Sequence, residues 1–258
     1  MLLTIDVGNT NIAMGVIEDG KTLGVFRITT KIQRTADEFG ITINTFFNKL
    51  GITKENIDDV LISSVVPSIM YSLCNSVRGY VHKEPIIIDC DTDSGIRVET
   101  DNPRGVGADR IVNTAGCFHE YGQSCLVIDF GTATTFDYVD DEGVFRYTVI
   151  MPGIEISKNA LVGMAAKLPD VEIKQPESVL AGNTIDGMQV GVVYGYIGAV
   201  EYIIRKMKEA LKDDKMKVIA TGGLGKVIYQ STELIDIYDP NVSYKGMEVI
   251  YNRIKKNK

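Results

Sequence analysis

The start of the chain alternates short apolar runs with turn residues, a pattern typical of strands joined by tight turns. The runs Leu2 to Val7, Ile12 to Ile17 and Thr22 to Thr29 read as strands, and the Asp-Gly pair within Glu18 to Lys21 indicates a hairpin turn. Apolar residues at helical spacing then predict a helix, namely Phe39, Ile43, Phe46, Phe47 and Leu50.

Two further strands are predicted before the middle of the chain. One lies within Asp58 to Pro67 and ends in a loop, where Pro67 is suited to the first position of a helix. The other is the apolar run within Pro85 to Asp89.

The second half of the chain begins in the same way as the first. Cys125 to Phe130, Thr134 to Val139 and Val144 to Ile150 predict three strands, with a hairpin turn at Asp140 to Gly143. A continuous apolar stripe then predicts a long helix, its members being Val193, Tyr196, Ile197, Val200, Ile203, Ile204, Met207 and Leu211. Met216 to Gly223 is a strand that runs into a glycine turn.

The order β-β-β-α-β-α therefore occurs twice, which indicates a duplicated α/β domain. We predict an N-terminal domain at residues 1–117 and a C-terminal domain at 118–258. If the two domains face each other, the repeated Asp-x-Gly turns at Asp6 and Asp129 point into one cleft, because binding crevices of α/β sheets open at the carboxyl ends of strands.

Composition narrows the class of protein. The 258 residues are 45% hydrophobic and 24% charged, with a formal net charge of -7 and a pI of about 5.0. An acidic surface disfavours nucleic acid and anionic membranes as general partners. The longest mostly apolar stretch, Met188 to Val200, is too short to span a bilayer, and the N-terminus lacks a signal-peptide pattern, so we expect a cytoplasmic protein.

The four cysteines are Cys74, Cys90, Cys117 and Cys125, and none forms a C-x-x-C pair. Reduced thiols are the expected state, although His82 and His119 leave a zinc set formally open.

The doubled Asp-x-Gly turn has a chemical interpretation and a plain one. Gly8 and Gly131 let the backbone approach a ligand, and the polar residues that follow them can face phosphate oxygens. Two carboxylates about 4 Å apart repel by about 4 kcal/mol at an effective dielectric near 20, so a shared site calls for a cation, and Mg²⁺ fits oxygen ligands and phosphates. The plain interpretation is a pair of ordinary hairpin turns.

A third glycine turn, Thr221 to Gly225, offers a flat backbone surface for a nucleobase or ribose. The chain contains neither the G-x-x-x-x-G-K-[ST] nor the G-x-G-x-x-G pattern, so a Walker loop and a Rossmann cofactor are disfavoured.

Taken together, these motifs resemble the acetate and sugar kinase, chaperone ATPase and actin superfamily, and more narrowly the type III pantothenate kinases. The resemblance runs from end to end. It is carried by Asp6 to Ile12, Ser63 to Pro67, Asp101 to Arg110, Asp129 to Asp137, Pro152 to Ile154, Gly182 to Thr184 and Thr221 to Gly225.

The resemblance implies an α/β fold of two tandem ribonuclease H-like domains that face each other across an ATP cleft. It implies that ATP is bound by Asp6, Val7, Gly8, Asn9, Thr10, Asn11, Ile12, Ala13, Thr132, Gly222 and Gly223. It places Asp6 and Asp129 at the metal sites, with Mg²⁺ and a monovalent cation, K⁺ or NH₄⁺, which Asp129 would bind.

Asp109 is the predicted catalytic base, because a kinase that acts on an alcohol needs a carboxylate within reach of the hydroxyl. Arg110 can pair with a carboxylate such as that of pantothenate. The resemblance implies a pantothenate site formed by Thr100, Gly107, Ala108, Asp109, Arg110 and Thr184, with Thr184 contributed from this or the neighbouring subunit. On the bare residues, Asp109 could instead cap a helix that begins near Arg110.

The family resemblance also implies a homodimer. The helix predicted from about Gly187 to Lys212 carries Gly191, Gly195 and Gly198 near one face, which permits close approach of another helix. The same helix could instead pack on the chain's own sheet.

Two positions depart from the family pattern. Tyr147 and Thr148 stand where the family often has a Gly-Gly pair, and Thr100 stands where an aromatic residue is frequent. The first departure concerns the approach to the Pro152–Ile154 motif, and the second concerns one wall of the substrate pocket.

The predicted function is ATP-dependent phosphorylation of pantothenate to 4′-phosphopantothenate, the first step of coenzyme A biosynthesis. Two alternatives stay open at this level: a non-catalytic ATP-binding accessory or regulatory protein of the same fold, and a kinase for another small hydroxy compound.

Overall fold

The computed structural model of the protein describes residues 1–256. In chain order the strands and helices are β1 Leu2–Val7, β2 Asn11–Glu18, β3 Lys21–Thr29, α1 Ala36–Leu50, β4 Asp59–Ser64, α2 Pro67–Ser76, β5 Ile86–Ile87, β6 Arg97–Val98, α3 Ala108–Tyr121, β7 Cys125–Phe130, β8 Ala133–Val139, β9 Val144–Pro152, α4 Ile154–Met164, α5 Thr184–Leu211, β10 Lys217–Thr221, α6 Gly225–Tyr229, β11 Ile237–Tyr238 and α7 Val242–Lys256. Short 3₁₀ turns lie at Lys54–Asn56 and Pro103–Gly105, and a π turn lies at Val77–Val81.

The protein is a mixed α/β chain with two sheets, as the sequence predicts. It divides into two compact units, residues 1–121 with 241–256, and residues 122–240. The predicted halves, 1–117 and 118–258, differ from these units mainly in the placement of α7. That helix packs on α3 of the first unit, where Gly246 lies against the carbonyl of Val112 and Gly116 against the carbonyl of Val242. The division into two tandem domains stays a prediction.

Strand order is the same in both units. The first sheet runs β3-β2-β1-β4-β5, and in the second unit the order is β9-β8-β7-β10-β11. In each unit the first three strands pair with one another in antiparallel fashion. The first of them also pairs in parallel with the fourth strand of the order, β1 with β4 and β7 with β10. The internal repeat predicted from the sequence is therefore present as a repeated topology.

Alternation along β1 separates two faces of the first sheet. Leu3, Ile5 and Val7 are fully buried in a core formed with α1 and α2. Thr4 and Asp6 lie on the opposite face, toward α3 and α7. The first unit thus buries the apolar half of β1 against one pair of helices and keeps its polar half for the other pair.

In the second unit, Leu126, Ile128 and Phe130 of β7 are buried with the apolar stripe of α5. Six of the eight residues of that stripe are buried in the same core, while Ile203 and Leu211 pack at its margin. The predicted stripe therefore covers the unit's own sheet.

No helix within residues 1–256 is both long and apolar enough to cross a bilayer. None of the four cysteines, all of which lie within the described residues, forms a disulfide bond, as expected from the sequence. Burial raises the pKa of Cys125 to about 12, so this thiol stays protonated at neutral pH.

Candidate functional site

The first Asp-x-Gly turn connects β1 to β2 and is held by several hydrogen bonds. The backbone N–H of Gly8 donates to the carbonyl of Asn11 at 3.0 Å, which closes the turn. Thr30, just after β3, donates its hydroxyl to the carbonyl of Gly8 at 2.8 Å and its backbone N–H to the carbonyl of Thr10 at 2.9 Å. Thr30 was not singled out by sequence reasoning, and only its position at the end of the third strand could have indicated it.

The residues of this turn can contribute in different ways. Asn9 and Asn11 are exposed, and Gly8 and Thr10 are half-buried, so their backbone and side chains are accessible to a ligand. The side chains of Val7 and Ile12 are buried in the core, so these two residues can offer only backbone groups. Ala13, like Asp6, is half-buried, and it lies opposite Asp6 in the register of β1 and β2.

The predicted catalytic segment lies at the start of α3, close to the same edge of the first sheet. The backbone N–H of Val65, just after β4, donates to the carbonyl of Val7 at 3.1 Å. Gly107 is so close to Val65 that a Cβ on it would lie 3.0 Å from Val65 Cγ1. The β4 loop therefore connects the β1 turn with the segment that carries Asp109, and the first unit by itself brings Asp6 and Asp109 to one end of its sheet.

Asp109 lies inside the first turn of α3 and is not its N-cap. The helix begins at Ala108, and the N–H groups of Arg110 and Ile111 donate to the carbonyl of Gly107. Asp109 Oδ1 accepts the N–H of Arg110 at 2.8 Å, and the helix dipole favours an anion there. The capping interpretation thus fails in its simple form, although the carboxylate does face the helix N-terminus.

The remaining residues of the first unit that were predicted to contact the substrate differ in burial. Arg110 is half-buried and Ala108 is buried. The hydroxyl oxygen of Thr100 is buried, and among the described residues it has no hydrogen-bond partner.

The second Asp-x-Gly turn, between β7 and β8, is packed against two glycines. The N–H of Gly153 donates to the carbonyl of Thr132 at 3.1 Å, and a Cβ on Gly153 would overlap the carbonyl of Gly131. Gly222 has φ +91°, and a Cβ there would lie 2.7 Å from Asp129 Oδ1. The second unit therefore assembles Asp129, Thr132 and the Gly222 turn in one place.

The Gly222 turn has a further support. Tyr238 of β11 donates its hydroxyl to the carbonyl of Gly222 at 3.0 Å, while Gly223 is exposed with open space around its Cα. Gly153 belongs to a motif noted in the sequence, but no role was assigned to it. The feature that could have indicated a role for Gly153 is its position immediately before α4.

Thr184 lies elsewhere in the second unit. It is the first residue of α5, after the N-cap Asn183, and it lines a groove of about 580 Å³ between α4 and α5. Gly191 and Gly195 line the same groove, so the small-residue face of α5 is not covered by the sheet.

The departure at Tyr147 also has a defined place. Tyr147 is exposed on β9 and stacks on Tyr138 with ring centroids 6.4 Å apart. Its side chain therefore lies on the exposed surface of β8 and β9, away from the turn at Gly131.

Donors for a metal are single carboxylates at these turns. Within residues 1–256 no group of three or more His, Cys, Asp or Glu side chains could enclose a metal ion. In the strand register Asp6 is flanked by Ala13 and Ser63, and Asp129 by Thr135 and Thr221. These oxygen donors fit a hard cation that keeps water or phosphate ligands.

Comparison with known proteins gives a consistent family. A family model described as Type III pantothenate kinase matches residues 2–206. The Type III pantothenate kinase of Agathobacter rectalis is 47% identical over 253 residues, which cover 98% of this chain and 97% of that protein. The enzyme of the same name from Bifidobacterium longum subsp. infantis is 42% identical, with 98% and 99% covered.

Solved structures match at the level of the fold. MreB 5 of Spiroplasma citri, bound to AMPPNP, gives a TM-score of 0.59 at 11% identity, covering 99% of this chain and 97% of that one. The ROK hexokinase of Thermus thermophilus gives a TM-score of 0.51 at 11% identity, covering 99% of both chains. At such low identity these matches support the architecture alone.

Proposed function

We propose residue roles from one premise: the chain belongs to the type III pantothenate kinase family. It is an enzyme that uses ATP to phosphorylate pantothenate, in the first step of coenzyme A biosynthesis. The sequence-level alternatives, a non-catalytic ATP-binding protein and a kinase for another hydroxy compound, are both less consistent with this membership. The observation on which these roles depend is the position of Asp109. This residue lies near the end of the first sheet at which β1 and β4 finish.

Asp109 is the general base of this proposal. Its carboxylate accepts the proton of the primary hydroxyl of pantothenate as the γ-phosphoryl group moves to that oxygen, and 4′-phosphopantothenate and ADP result. The first-turn position supports this role, because the helix N-terminus favours the ionised carboxylate that a base requires.

Arg110 pairs with the carboxylate of pantothenate, since a guanidinium can donate two parallel hydrogen bonds to it. Gly107 and Ala108 form the neighbouring wall, and Thr100 lies on the same stretch of chain before α3. Thr184 completes the set in our proposal, contributed by the second copy of a homodimer. The exposed glycine face of α5 beside Thr184 supports such a dimer.

Each unit carries its own set of proposed ATP contacts. Asp6 to Ala13 line the phosphates, and Thr132 contributes its hydroxyl to them. Gly222 and Gly223 contact the adenosine, for which the exposed backbone of Gly223 leaves room.

The cation assignments follow from the donor set. Asp6 would hold Mg²⁺ and Asp129 would contribute to a metal site that takes K⁺ or NH₄⁺, since both present carboxylate oxygens at a turn. When bound, Mg²⁺ neutralises charge on the phosphates of ATP. The chain's own contribution is to orient the nucleotide and to exclude water from it.

A coupled assay of ADP release tests the activity directly. We expect ADP release that depends on pantothenate, with no comparable rate on simple sugars or acetate. Release that is independent of pantothenate, or equal on sugars, would contradict the assigned substrate. Size-exclusion chromatography with light scattering tests the dimer, and a monomer at micromolar concentration would contradict it.

A further inference from the structure

The polar face of the first sheet holds a tyrosine that none of the roles above uses. Tyr244, on α7, is 2% exposed and is among the largest fully enclosed side chains of the protein. Its ring fills the space that Gly15 leaves open: a Cβ on Gly15 would lie 2.8 Å from Tyr244 Cδ1 and Cε1. Thr4, directly opposite Gly15 in the register, donates its hydroxyl to the Gly15 carbonyl at 3.1 Å. The ring thus lies over the Thr4–Gly15 pair.

The hydroxyl of Tyr244 is under the electrostatic influence of residues in the next row of the sheet. Asp6, Ala13 and Arg27 are partners across β1, β2 and β3, and this row lies two residues beyond Thr4, about 7 Å along the strand. The charges that act on the Tyr244 hydroxyl are those of Arg27 and Asp6. Burial raises the pKa of Tyr244 to about 12, so the group stays a hydrogen-bond donor at neutral pH.

A second buried hydroxyl lies beside Asp6. Ser63 is the partner of Asp6 in the parallel register of β1 and β4, and it is fully buried. Among the described residues, neither the Ser63 hydroxyl nor the Tyr244 hydroxyl has a hydrogen-bond partner. A buried hydroxyl without a partner is destabilising, so two of them on one sheet face call for a common explanation.

A buried water is a common partner of enclosed hydroxyls that the protein itself leaves unbonded. Buried waters typically have two to four polar partners, and Ser63, Tyr244 and the Asp6 carboxylate provide three on one face. We propose that one ordered water bonds both hydroxyls, and that Tyr244 and Ser63 are positioning residues, which hold the Asp6 carboxylate through that water in the orientation that binds Mg·ATP. The inference rests on the proposed role of Asp6 and extends it to α7.

The experiment measures binding of a non-hydrolysable ATP analogue by calorimetry, with and without Mg²⁺. Tyr244→Phe keeps the ring that fills the Gly15 gap and removes only the hydroxyl. We expect its dissociation constant for the Mg²⁺ complex to rise about 3- to 10-fold, as for the loss of one hydrogen bond, and its affinity for the metal-free nucleotide to stay at the wild-type value. Ser63→Ala should act in the same direction.

Tyr251→Phe is the matched control on the same helix. The Tyr251 hydroxyl donates at 2.7 Å to Asp59, which pairs with Leu2 at the opposite end of β1. This variant should lower the melting temperature without changing the Mg²⁺-dependent affinity. A nucleotide effect of equal size in Tyr251→Phe would show general loosening of α7 and would overturn the proposal.

The other outcomes of the test are equally decisive. If Tyr244→Phe and Ser63→Ala both bind the Mg²⁺ complex as the wild type does, the positioning role is wrong. If Tyr244→Phe does not fold, Ser63→Ala decides alone. Asp6→Asn separates this inference from its premise: wild-type Mg²⁺-dependent affinity in that variant would contradict the role of Asp6 itself, whereas lost affinity there with no effect of the hydroxyls would overturn only the inference.

Discussion

The two units of this protein share a strand order but treat the helix that follows their third strand differently. In the first unit α1 begins with a capping box: Thr35 accepts the N–H of Glu38, and Glu38 accepts the N–H of Thr35 at 2.7 Å. In the second unit α4 begins after Gly153, which has no side chain that could cap the helix. The first helix start has reciprocal side-chain caps, whereas the second has a glycine at the N-cap, which typically costs only about a few tenths of a kcal/mol relative to a side-chain cap.

The reason for this difference is the distance between the helix start and the Asp-x-Gly turn. In the first unit Thr30 holds the turn, so α1 can begin further along the chain. In the second unit Gly153 itself contacts the turn at Gly131 and Thr132, and no side chain fits there. The two units thus share the order of their strands, while the connections after the third strand differ. Our proposal gives the proton transfer and the phosphate contacts of Asp6 to Ala13 to the first unit, and the contacts of Thr132 and the glycine pair to the second.

The largest expected effect tests the chemical role of the first unit. Asp109→Asn should lower kcat by about 10²- to 10⁴-fold, because the amide cannot accept the hydroxyl proton, while ATP binding stays intact. Steady-state kinetics and calorimetry with the same preparation measure both. Glu120→Gln is a control at the other end of α3, where Glu120 pairs with Lys245 on the surface, and it should retain activity. Near-normal turnover of Asp109→Asn would mean that the base is wrongly assigned.

The next effect tests the close approach in the second unit. Gly153→Ala places a methyl group against the carbonyls of Gly131 and Thr132, the latter at 2.5 Å, so the turn must shift. A displacement of this kind can cost about 10²-fold in kcat/KM for ATP. Gly163→Ala, on the same helix with open space around it, is the control and should be neutral or slightly stabilising. Equal kinetics for the two variants would contradict the contact.

A smaller effect is expected at the glycine pair. Gly222→Ala must hold an alanine at a φ of +91° against the Phe130 carbonyl at 2.6 Å, and we expect a loss of about 1–3 kcal/mol in the free energy of unfolding. Gly223→Ala should leave the free energy of unfolding nearly unchanged, since the space there is open, and it should affect only the affinity for ATP. Urea unfolding and nucleotide binding distinguish these two roles. Similar stability of both variants would contradict the strained turn.

Much of the two sheets could be predicted from the sequence, because strand signals are local. β1 and β7 have the predicted bounds, and Pro67 starts α2 as expected. The placement of α7 could not be predicted, since the periodicity of a helix shows which face is apolar but not which unit covers it. Gly246 provides the contact with α3, and a single glycine in a helix pattern is a weak signal.

The candidate site shows the same division between local and non-local information. The Asp6 turn and the α3 start are recognisable as motifs, yet their proximity in the first unit depends on the β4 loop at Val65, which no spacing rule indicates. Tyr244 lies far along the chain from Asp6 and belongs to no motif. Only the matching gap at Gly15 relates the two, and such complementarity is visible only in three dimensions.

The smallest expected effect returns to the two helix starts and concerns pH. The backbone hydrogen bond from Thr35 lowers the pKa of Glu38 below its ordinary value. Because the folded-state pKa is the lower one, the stabilisation is complete above the unfolded-state pKa and is lost as the pH falls through the folded-state pKa. The free energy of unfolding of the wild type should therefore exceed that of Glu38→Gln at neutral pH, and the difference should shrink in acid. Urea unfolding from about pH 7 to about pH 3 measures this difference.

Glu155→Gln removes a first-turn carboxylate from α4, which has no capping box, and serves as the control. If its difference from the wild type shrinks in acid by the same amount, the capping box of α1 has no effect of its own.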